Sequence, residues 1–246
     1  MATTERADQL LVSKGLCETR EQAKRLIMAG EVLNGTHRVA KPSSKVPLDA
    51  DLKVKNKPKF VSRAGLKLEK ALQVFPVQTE GITAVDIGSS TGGFTDCLLQ
   101  NGASRVHAVD VGTNQLVYKL RIDPRVNVKE QFNARYMELE DLGEPVDLAV
   151  MDVSFISLTK IWPAAKRVLK PGGQLIALIK PQFELSREEV SKGKGVVTDP
   201  ELHQKAIDKM RDFNTEVLHM NWAGLDESPI TGTDGNKEFL VWLTNL

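Results

Sequence analysis

Eleven consecutive residues constrain this chain more than any others: Ala84-Val-Asp-Ile-Gly-Ser-Ser-Thr-Gly-Gly-Phe94. Apolar and β-branched residues leading to an acid and then to glycines predict a short buried strand, a glycine-rich turn and a helix over Phe94–Gln100. Glycines in such a turn let backbone approach a ligand closely, and the N–H groups of the first helical turn point at it, so a nucleotide-type site is expected. The spacing narrows the ligand. A dinucleotide fold places G-x-G-x-x-G directly after the strand, whereas here the turn reads Gly88-x-x-x-Gly92-Gly93 behind Asp86, without the second glycine of that pattern.

This turn resembles motif I of S-adenosylmethionine-dependent methyltransferases. Asp110 lies about twenty residues beyond it, the distance at which an acid accepts ribose hydroxyls. Asn133, after the third strand of the series, is placed either beside an adenine or in a plain turn. The remaining strands are predicted at Ile82–Ile87, Arg105–Val111, Val126–Lys129, Asp147–Val153 and Gln174–Lys180, alternating with helices, which implies a parallel sheet covered on both faces. Four of them carry Asp86, Asp110, Asp152 and Lys180 at or near their carboxyl ends, the edge at which open parallel sheets bind ligands.

The front of the chain is different in charge and in pattern. The 246 residues carry a net charge of only +1, yet residues 1–70 hold 15 Lys+Arg against 8 Asp+Glu and residues 71–246 hold 18 against 24. Segregation of this kind suits a front part that meets a polyanion. Leu10, Leu11, Leu16, Ala23, Leu26 and Ile27 predict two short helices broken at Gly15, the second over Thr19–Ala29 with a Thr cap and Gln22 at the capping-box position. Asn34-Gly35 then marks a hairpin within Glu31–Val39. Lys41–Lys59 reads as a late strand, Leu52–Lys55, and a linker, which puts the boundary between domains 1–58 and 59–246.

The pattern Arg6-x-Asp8-x-x-Leu11, Ser13, Gly15, Thr19-Arg20, Ala23, Ile27, Gly30-x-Val32-x-Asn34-Gly35 resembles the small α+β RNA-binding module shared by a small-subunit ribosomal protein, pseudouridine synthases and tyrosyl-tRNA synthetases. Arg6, Lys14, Arg20, Lys24, Arg25 and Arg38 are the expected phosphate contacts. Ser62–Leu72 predicts an N-capped helix with Leu66, Leu68 and Leu72 partly buried, entering the second domain. Beyond Lys180, Pro181–Glu184 and then residues 186–198 read as a long loop whose basic tip, Lys192 and Lys194, lies beside the cofactor edge; with Arg63 these complete the expected RNA contacts. A helix over Pro200–Phe213, a strand over Glu216–Trp222 and a last strand over Glu238–Leu243 end the chain.

Two cysteines eighty positions apart and four scattered histidines predict neither a disulfide framework nor a metal cluster, and suit a reducing cytosol. No apolar run approaches the roughly 20 residues of a membrane span, and no secretory pattern opens the chain. A membrane-lytic activity therefore has no segment to carry it.

Taken in order, the RNA-binding module, Ser62-Arg-Ala-Gly-Leu-Lys67, Asp86–Phe94, Asp152-Val-Ser-Phe155, Lys180-Pro-Gln-Phe-Glu184 and Gly235-Asn-x-Glu-Phe239 are similar to the TlyA family. That family was first labelled haemolysin-like and comprises ribosomal RNA ribose methyltransferases with an FtsJ-like catalytic domain. The resemblance covers nearly the whole chain. It implies a class I, Rossmann-like methyltransferase with a mostly parallel seven-stranded sheet, S-adenosylmethionine as cofactor, ribosomal RNA or ribosomal subunits as partner, and a cytidine 2′-hydroxyl as acceptor. It also implies a Lys67-Asp152-Lys180-Glu238 catalytic tetrad, and cofactor contacts at Asp86, Gly88, Ser89, Ser90, Gly92, Gly93, Phe94 and Asp110.

The chemistry fits those residue types. A ribose hydroxyl is a poor nucleophile and needs a base and an in-line approach to the methyl group. Lys180 is the expected base. The competing reading is an RNA-binding assembly factor whose methyltransferase fold is inert; the intact tetrad opposes it.

Overall fold

A computed structural model describes residues 3–17, 19–55, 58–232 and 234–245 and divides into two compact units, Met1–Pro58 and Lys59–Leu246. In the first, strand β1 (Thr4–Arg6) precedes helices α1 (Ala7–Ser13) and α2 (Arg20–Met28), then strands β2 (Val32–Asn34), β3 (His37–Arg38), β4 (Lys45–Pro47) and β5 (Leu52–Val54). Gly15, at φ +67°, stops the first helix, and the Thr19 hydroxyl caps the second by accepting from Gln22 N at 3.2 Å. Ala7, Leu10 and Leu11 meet Ala23, Ile27, Val32 and Leu52 in a small core. Strand β2 is central in the antiparallel order β3-β2-β5. Its pairing of Asn34 with His37 puts the hairpin turn at Gly35-Thr36. Ahead of the expected late strand, the stretch from Lys41 holds one that the sequence did not announce: β4 pairs antiparallel with β1, Val46 opposite Glu5. Three residues with a single buried position are too few for a visible alternation.

The second unit is a seven-stranded sheet in the order β11-β12-β10-β9-β6-β7-β8. Its strands are β6 (Thr83–Ile87), β7 (Arg105–Val109), β8 (Val126–Lys129), β9 (Val146–Met151), β10 (Leu169–Ile179), β11 (Asn221–Glu227) and β12 (Phe239–Thr244). The pairs β10–β9, β9–β6, β6–β7 and β7–β8 are parallel; β12 runs antiparallel to both β10 and β11. The helices are α3 (Ala64–Val74), α4 (Gly93–Gln100), α5 (Tyr118–Arg121), α6 (Leu139–Leu142), α7 (Trp162–Val168), α8 (Pro181–Glu184), α9 (Arg187–Lys192) and α10 (Pro200–Phe213).

Alternate residues of one strand feed two cores. Leu175, Ala177 and Ile179 join Trp162 of α7 and Met210 of α10 on one face, and Ile176 and Leu178 join Leu68 of α3 and Leu98 of α4 on the other. Each fully buried Leu or Ile contributes about 1.5–3 kcal/mol relative to exposure. Helix α3 buries Leu68 and Ala71, and Phe75 follows it into the core, while Leu66 stands 38% exposed; the helix starts without the expected Ser62 side-chain cap.

Two further expectations are corrected. The stretch after Lys180 is not a continuous loop, because Pro181 opens the short helix α8 and the Ser186 hydroxyl and the Glu189 carboxylate form a capping box that starts α9. The strand expected at Glu216–Trp222 begins at Asn221. The chain first makes a wide helical turn, Asn214–Leu218, which the buried Asn214 closes by donating Nδ2 to Met220 O at 2.8 Å, and His219 then turns the chain at φ +53°.

Candidate functional site

The sheet changes winding direction between β6 and β9: β7 and β8 extend to one side, β9 and β10 to the other. A ligand crevice forms at the carboxyl edge of such a point. A cleft of about 1030 Å³ opens there, lined by Asp86–Thr91, Gly93 and Phe94 on one side and by Asp152–Ile156, Lys180, Gln182, Phe183 and Glu238 on the other. That volume is at the upper end for a small-molecule site, enough for a nucleoside cofactor and part of a second substrate.

The four tetrad residues come from four separate elements and meet in this cleft. Lys67 reaches it from the first turn of α3, whose close approach to α4 depends on small residues: a Cβ on Gly93 would lie 2.9 Å from Gly65 N. Asp152 follows β9 and Lys180 follows β10. The antiparallel register that pairs Ile179 with Phe239 brings Glu238 opposite Lys180. Lys67 Nζ lies 3.0 Å from Asp152 Oδ2 and 2.6 Å from Glu238 Oε2; Lys180 Nζ lies 2.6 Å from Asp152 Oδ1 and 3.9 Å from Glu238 Oε1. Two cations and two anions, all at least largely buried, thus cancel in charge, which is the condition under which buried charges are tolerated. Burial alone would lift Asp152, but Lys180 and Lys67 outweigh it and hold the carboxyl below the usual range. Lys180 also donates to Ser154 Oγ at 3.0 Å.

On the other side of the cleft, Asp86 is buried. Its Oδ2 accepts from Thr95 N at 2.9 Å and Thr95 Oγ1 at 2.7 Å, while Oδ1 accepts no hydrogen bond from any of the described residues. Burial, opposed by the Thr95 hydrogen bonds and assisted by the charges of Asp152 and Asp110, pushes its carboxyl up to about 7. Asp110 is pinned from the backbone, Oδ2 accepting from Ser90 N and Oδ1 from Gly112 N, both at 2.7 Å. Each oxygen keeps a lone pair for a ligand hydroxyl. Gly88, at φ +80°, allows the turn to pass within contact of Val153: a Cβ there would lie 3.1 Å from Val153 Cγ1. Gly92 does not line the cleft; its left-handed backbone faces Leu116 and Leu120, so its part is to shape the turn. Thr91, absent from the sequence expectation, does line it. Asn133 caps the following turn through Arg135 N at 3.2 Å and also lines the cleft.

Of the expected RNA contacts, Arg6 and Arg20 are committed to the buried Asp8, at 2.9 and 3.0 Å. Lys14 donates to Ala50 O at 2.6 Å and Lys24 pairs with Glu21 at 2.6 Å. Arg25, Arg38, Lys192 and Lys194 are exposed, and Arg63 is exposed at the rim of the cleft.

The sequence reading missed two aromatic residues. Phe155 is 92% exposed and sits at φ +63°, a conformation that costs a non-glycine residue about 1–2 kcal/mol. Its ring lies 5.3 Å from that of Phe183, over which Lys180 Nζ stands at 5.9 Å. An exposed ring in a strained backbone, three residues after Asp152, is a site signal that only exposure and φ reveal.

Among the described residues no helix is long and apolar enough to cross a membrane, and no three His, Cys, Asp or Glu side chains are grouped to hold a metal. Cys17 and Cys97 are both buried.

Comparison with known proteins agrees with this geometry. Residues 60–245 match the FtsJ-like methyltransferase family and residues 5–52 the S4 domain. A Bacillus subtilis protein provisionally named rRNA methyltransferase YqxC is 53% identical over 97% of this chain and 85% of its own. The 16S/23S rRNA (cytidine-2′-O)-methyltransferase TlyA of Mycobacterium tuberculosis is 40% identical over 99% of this chain and 91% of its own. A solved Streptococcus thermophilus protein provisionally called a hemolysin superposes with a TM-score of 0.75 at 49% identity, covering all of this chain and 90% of that one. The chain belongs to the FtsJ-like methyltransferase family, in the TlyA group that joins such a domain to an S4 domain.

Proposed function

We propose that this protein transfers a methyl group from S-adenosylmethionine to the 2′-hydroxyl of a cytidine ribose in ribosomal RNA, with the S4 unit supplying affinity for the RNA. The observation that carries the reading is the charge-balanced Lys67-Asp152-Lys180-Glu238 cluster at the switch-point cleft. Bound S-adenosylmethionine supplies a methyl group made electrophilic by its sulfonium. The donor set fits that cofactor: a backbone-pinned carboxylate, Asp110, for ribose hydroxyls, and at Asp86 a buried carboxylate with an unsatisfied oxygen, able to face a cationic ligand.

The protein's own groups then divide the work. Lys180 Nζ, once its ammonium has released a proton to solvent, is the base that receives the proton of the 2′-hydroxyl as the oxygen attacks and the methyl group leaves the sulfonium. Asp152 orients Lys180, and Lys67 with Glu238 balances the pair, so that the charge passed to Nζ is met by carboxylates already in place. Phe155 offers the target base a stacking face, a contact worth about 1–3 kcal/mol per base. The exposed Arg25, Arg38, Arg63, Lys192 and Lys194 contact phosphates. Chemistry on a ribose that must enter a cleft calls for a nucleotide drawn out of its stack.

The nature of the product tests the assignment. RNA recovered after incubation with the enzyme and labelled cofactor is expected to yield the label in an alkali-resistant dinucleotide that begins with cytidine, because a methylated 2′-oxygen cannot attack the adjoining phosphate. Label released entirely as mononucleotide after alkali would mean base methylation and would overturn the ribose assignment.

A further inference from the structure

Glu184 takes a carboxylate into the core, 4% exposed, at the end of the short helix that follows Lys180. Its oxygens do not turn towards the tetrad. Oε2 accepts from Ser157 Oγ at 2.5 Å, Oε1 accepts from Leu158 N at 2.8 Å, and Lys209 Nζ lies 3.3 Å from Oε2. Ser157 and Leu158 close the loop that leaves Asp152 and carries Phe155. The same loop is held at its other end by Lys180, which donates to Ser154 Oγ at 3.0 Å. Both anchors belong to residues 180–184, and Phe183 between them touches the Phe155 ring.

We infer that Glu184 is a positioning residue for the RNA substrate: it fixes the loop 152–158 to the segment bearing Lys180, so that the Phe155 ring and the Lys180 amine are held in one geometry. The inference rests on the reading of Phe155 as the stacking face for the target base. A left-handed backbone at an aromatic residue persists only where its neighbours over-determine it, and an exposed ring receives little such help from its own packing. The restraint has to come through the backbone on either side. A carboxylate suits the position because it offers two acceptors to two donors, a hydroxyl and an amide N–H, across adjacent residues. Glu184 itself contacts no reacting atom; it acts through Phe155.

The test uses the full chain and the ribosomal subunit that accepts the methyl group, with Phe155→Ala, Glu184→Ala, Glu184→Gln, Ser157→Ala and the double variant Phe155→Ala/Glu184→Ala. Glutamine keeps an acceptor for Leu158 N and a donor for the Ser157 hydroxyl but gives up the charge facing Lys209, so Glu184→Gln is expected to retain most of kcat/KM. Glu184→Ala and Phe155→Ala are each expected to lower kcat/KM for the subunit about 10- to 100-fold, with cofactor affinity unchanged, and the double variant to be no worse than Phe155→Ala. Ser157→Ala, which removes one tie of two, should fall between wild type and Glu184→Ala. Amide hydrogen exchange gives a second readout that needs no RNA: residues 153–158 should exchange faster in Glu184→Ala while β9 stays protected. Unchanged exchange in that loop would overturn the clamp, as would losses that multiply in the double variant or a Glu184→Gln variant as impaired as Glu184→Ala. A wild-type enzyme that transfers no methyl group while the exchange result holds would instead count against the functional reading, leaving the clamp itself intact.

Discussion

Each unit buries an aspartate, and the two are treated in opposite ways. Asp8 in the small unit is clasped by Arg6 and Arg20; the Arg6 hydrogen bond outweighs burial, and with Arg20 it holds the carboxyl at about 2. Asp86 in the large unit has a threonine for one oxygen and, among the described residues, no hydrogen-bond partner for the other, and burial pushes it up to about 7. The S4 unit satisfies its buried aspartate internally and presents Arg25 and Arg38 from a finished scaffold. The methyltransferase unit leaves an Asp86 oxygen without a hydrogen bond among the described residues and the Phe155 ring largely exposed beside Phe183, which is how a ligand site differs from a structural one.

The contrast is open to direct attack. Removing the scaffold charge has the largest expected effect: Asp8→Ala leaves two part-exposed arginines without their acceptor and is predicted to destabilise the small unit by about 2–3 kcal/mol, less than a fully buried pair would cost. A melt resolving the two units, with RNA binding lost and cofactor binding kept, would bear this out; an unchanged melt would show that Asp8 is no keystone.

The pH dependences should oppose each other. The Asp8 contribution is complete above its usual 3.8 and is lost as pH falls towards 2. For Asp86 the unfolded chain releases its proton near 3.8 and the folded chain near 7, so its effect on stability becomes less favourable as pH rises between those values. Asp86→Asn is therefore predicted to stabilise the cofactor-free protein at pH 8, on the order of 2 kcal/mol, and to weaken cofactor binding, which in the wild type should tighten as pH rises through about 7. A destabilised Asp86→Asn protein at pH 8 would mean that the carboxylate is satisfied in a way the geometry does not indicate.

Smaller effects sharpen the comparison within the basic residues. Arg20→Ala should lower both stability and RNA affinity, because Arg20 serves Asp8. Arg25→Ala should leave the melt unchanged and reduce the salt slope of RNA binding by about 1, as loss of one phosphate contact does. Equal melts for the two variants would erase the distinction between scaffold and contact.

Much of this was legible in the chain. The strand-turn-helix at Ala84–Phe94 and the run of strand ends carrying Asp86, Asp110, Asp152 and Lys180 follow from local pattern and the rule for open sheets. Lys67 and Glu238 do not. Their arrival depends on how closely α3 approaches α4 and on the register of β12 against β10, which local periodicity does not encode; the family resemblance supplied them. The strand at Asn221 was misplaced because Asn214 hydrogen-bonds across a wide turn, a tertiary use of a residue that local rules treat as a helix stop. Helix α9 was missed although Ser186-x-x-Glu189 spells its start, so there the signal was present and the loop reading wrong. Glu184 gave no signal at all, since a buried acid inside a motif is silent until its partners are seen.

The central claim is that Lys180 takes the proton while the cofactor is held elsewhere in the cleft. Equilibrium cofactor binding and single-turnover methyl transfer to unmethylated subunits, measured side by side for wild type and Lys180→Ala, test it most directly. The account predicts cofactor affinity within about twofold of wild type and transfer slowed about 100- to 10,000-fold, the range for loss of a general base. Transfer at the wild-type rate by Lys180→Ala would contradict it.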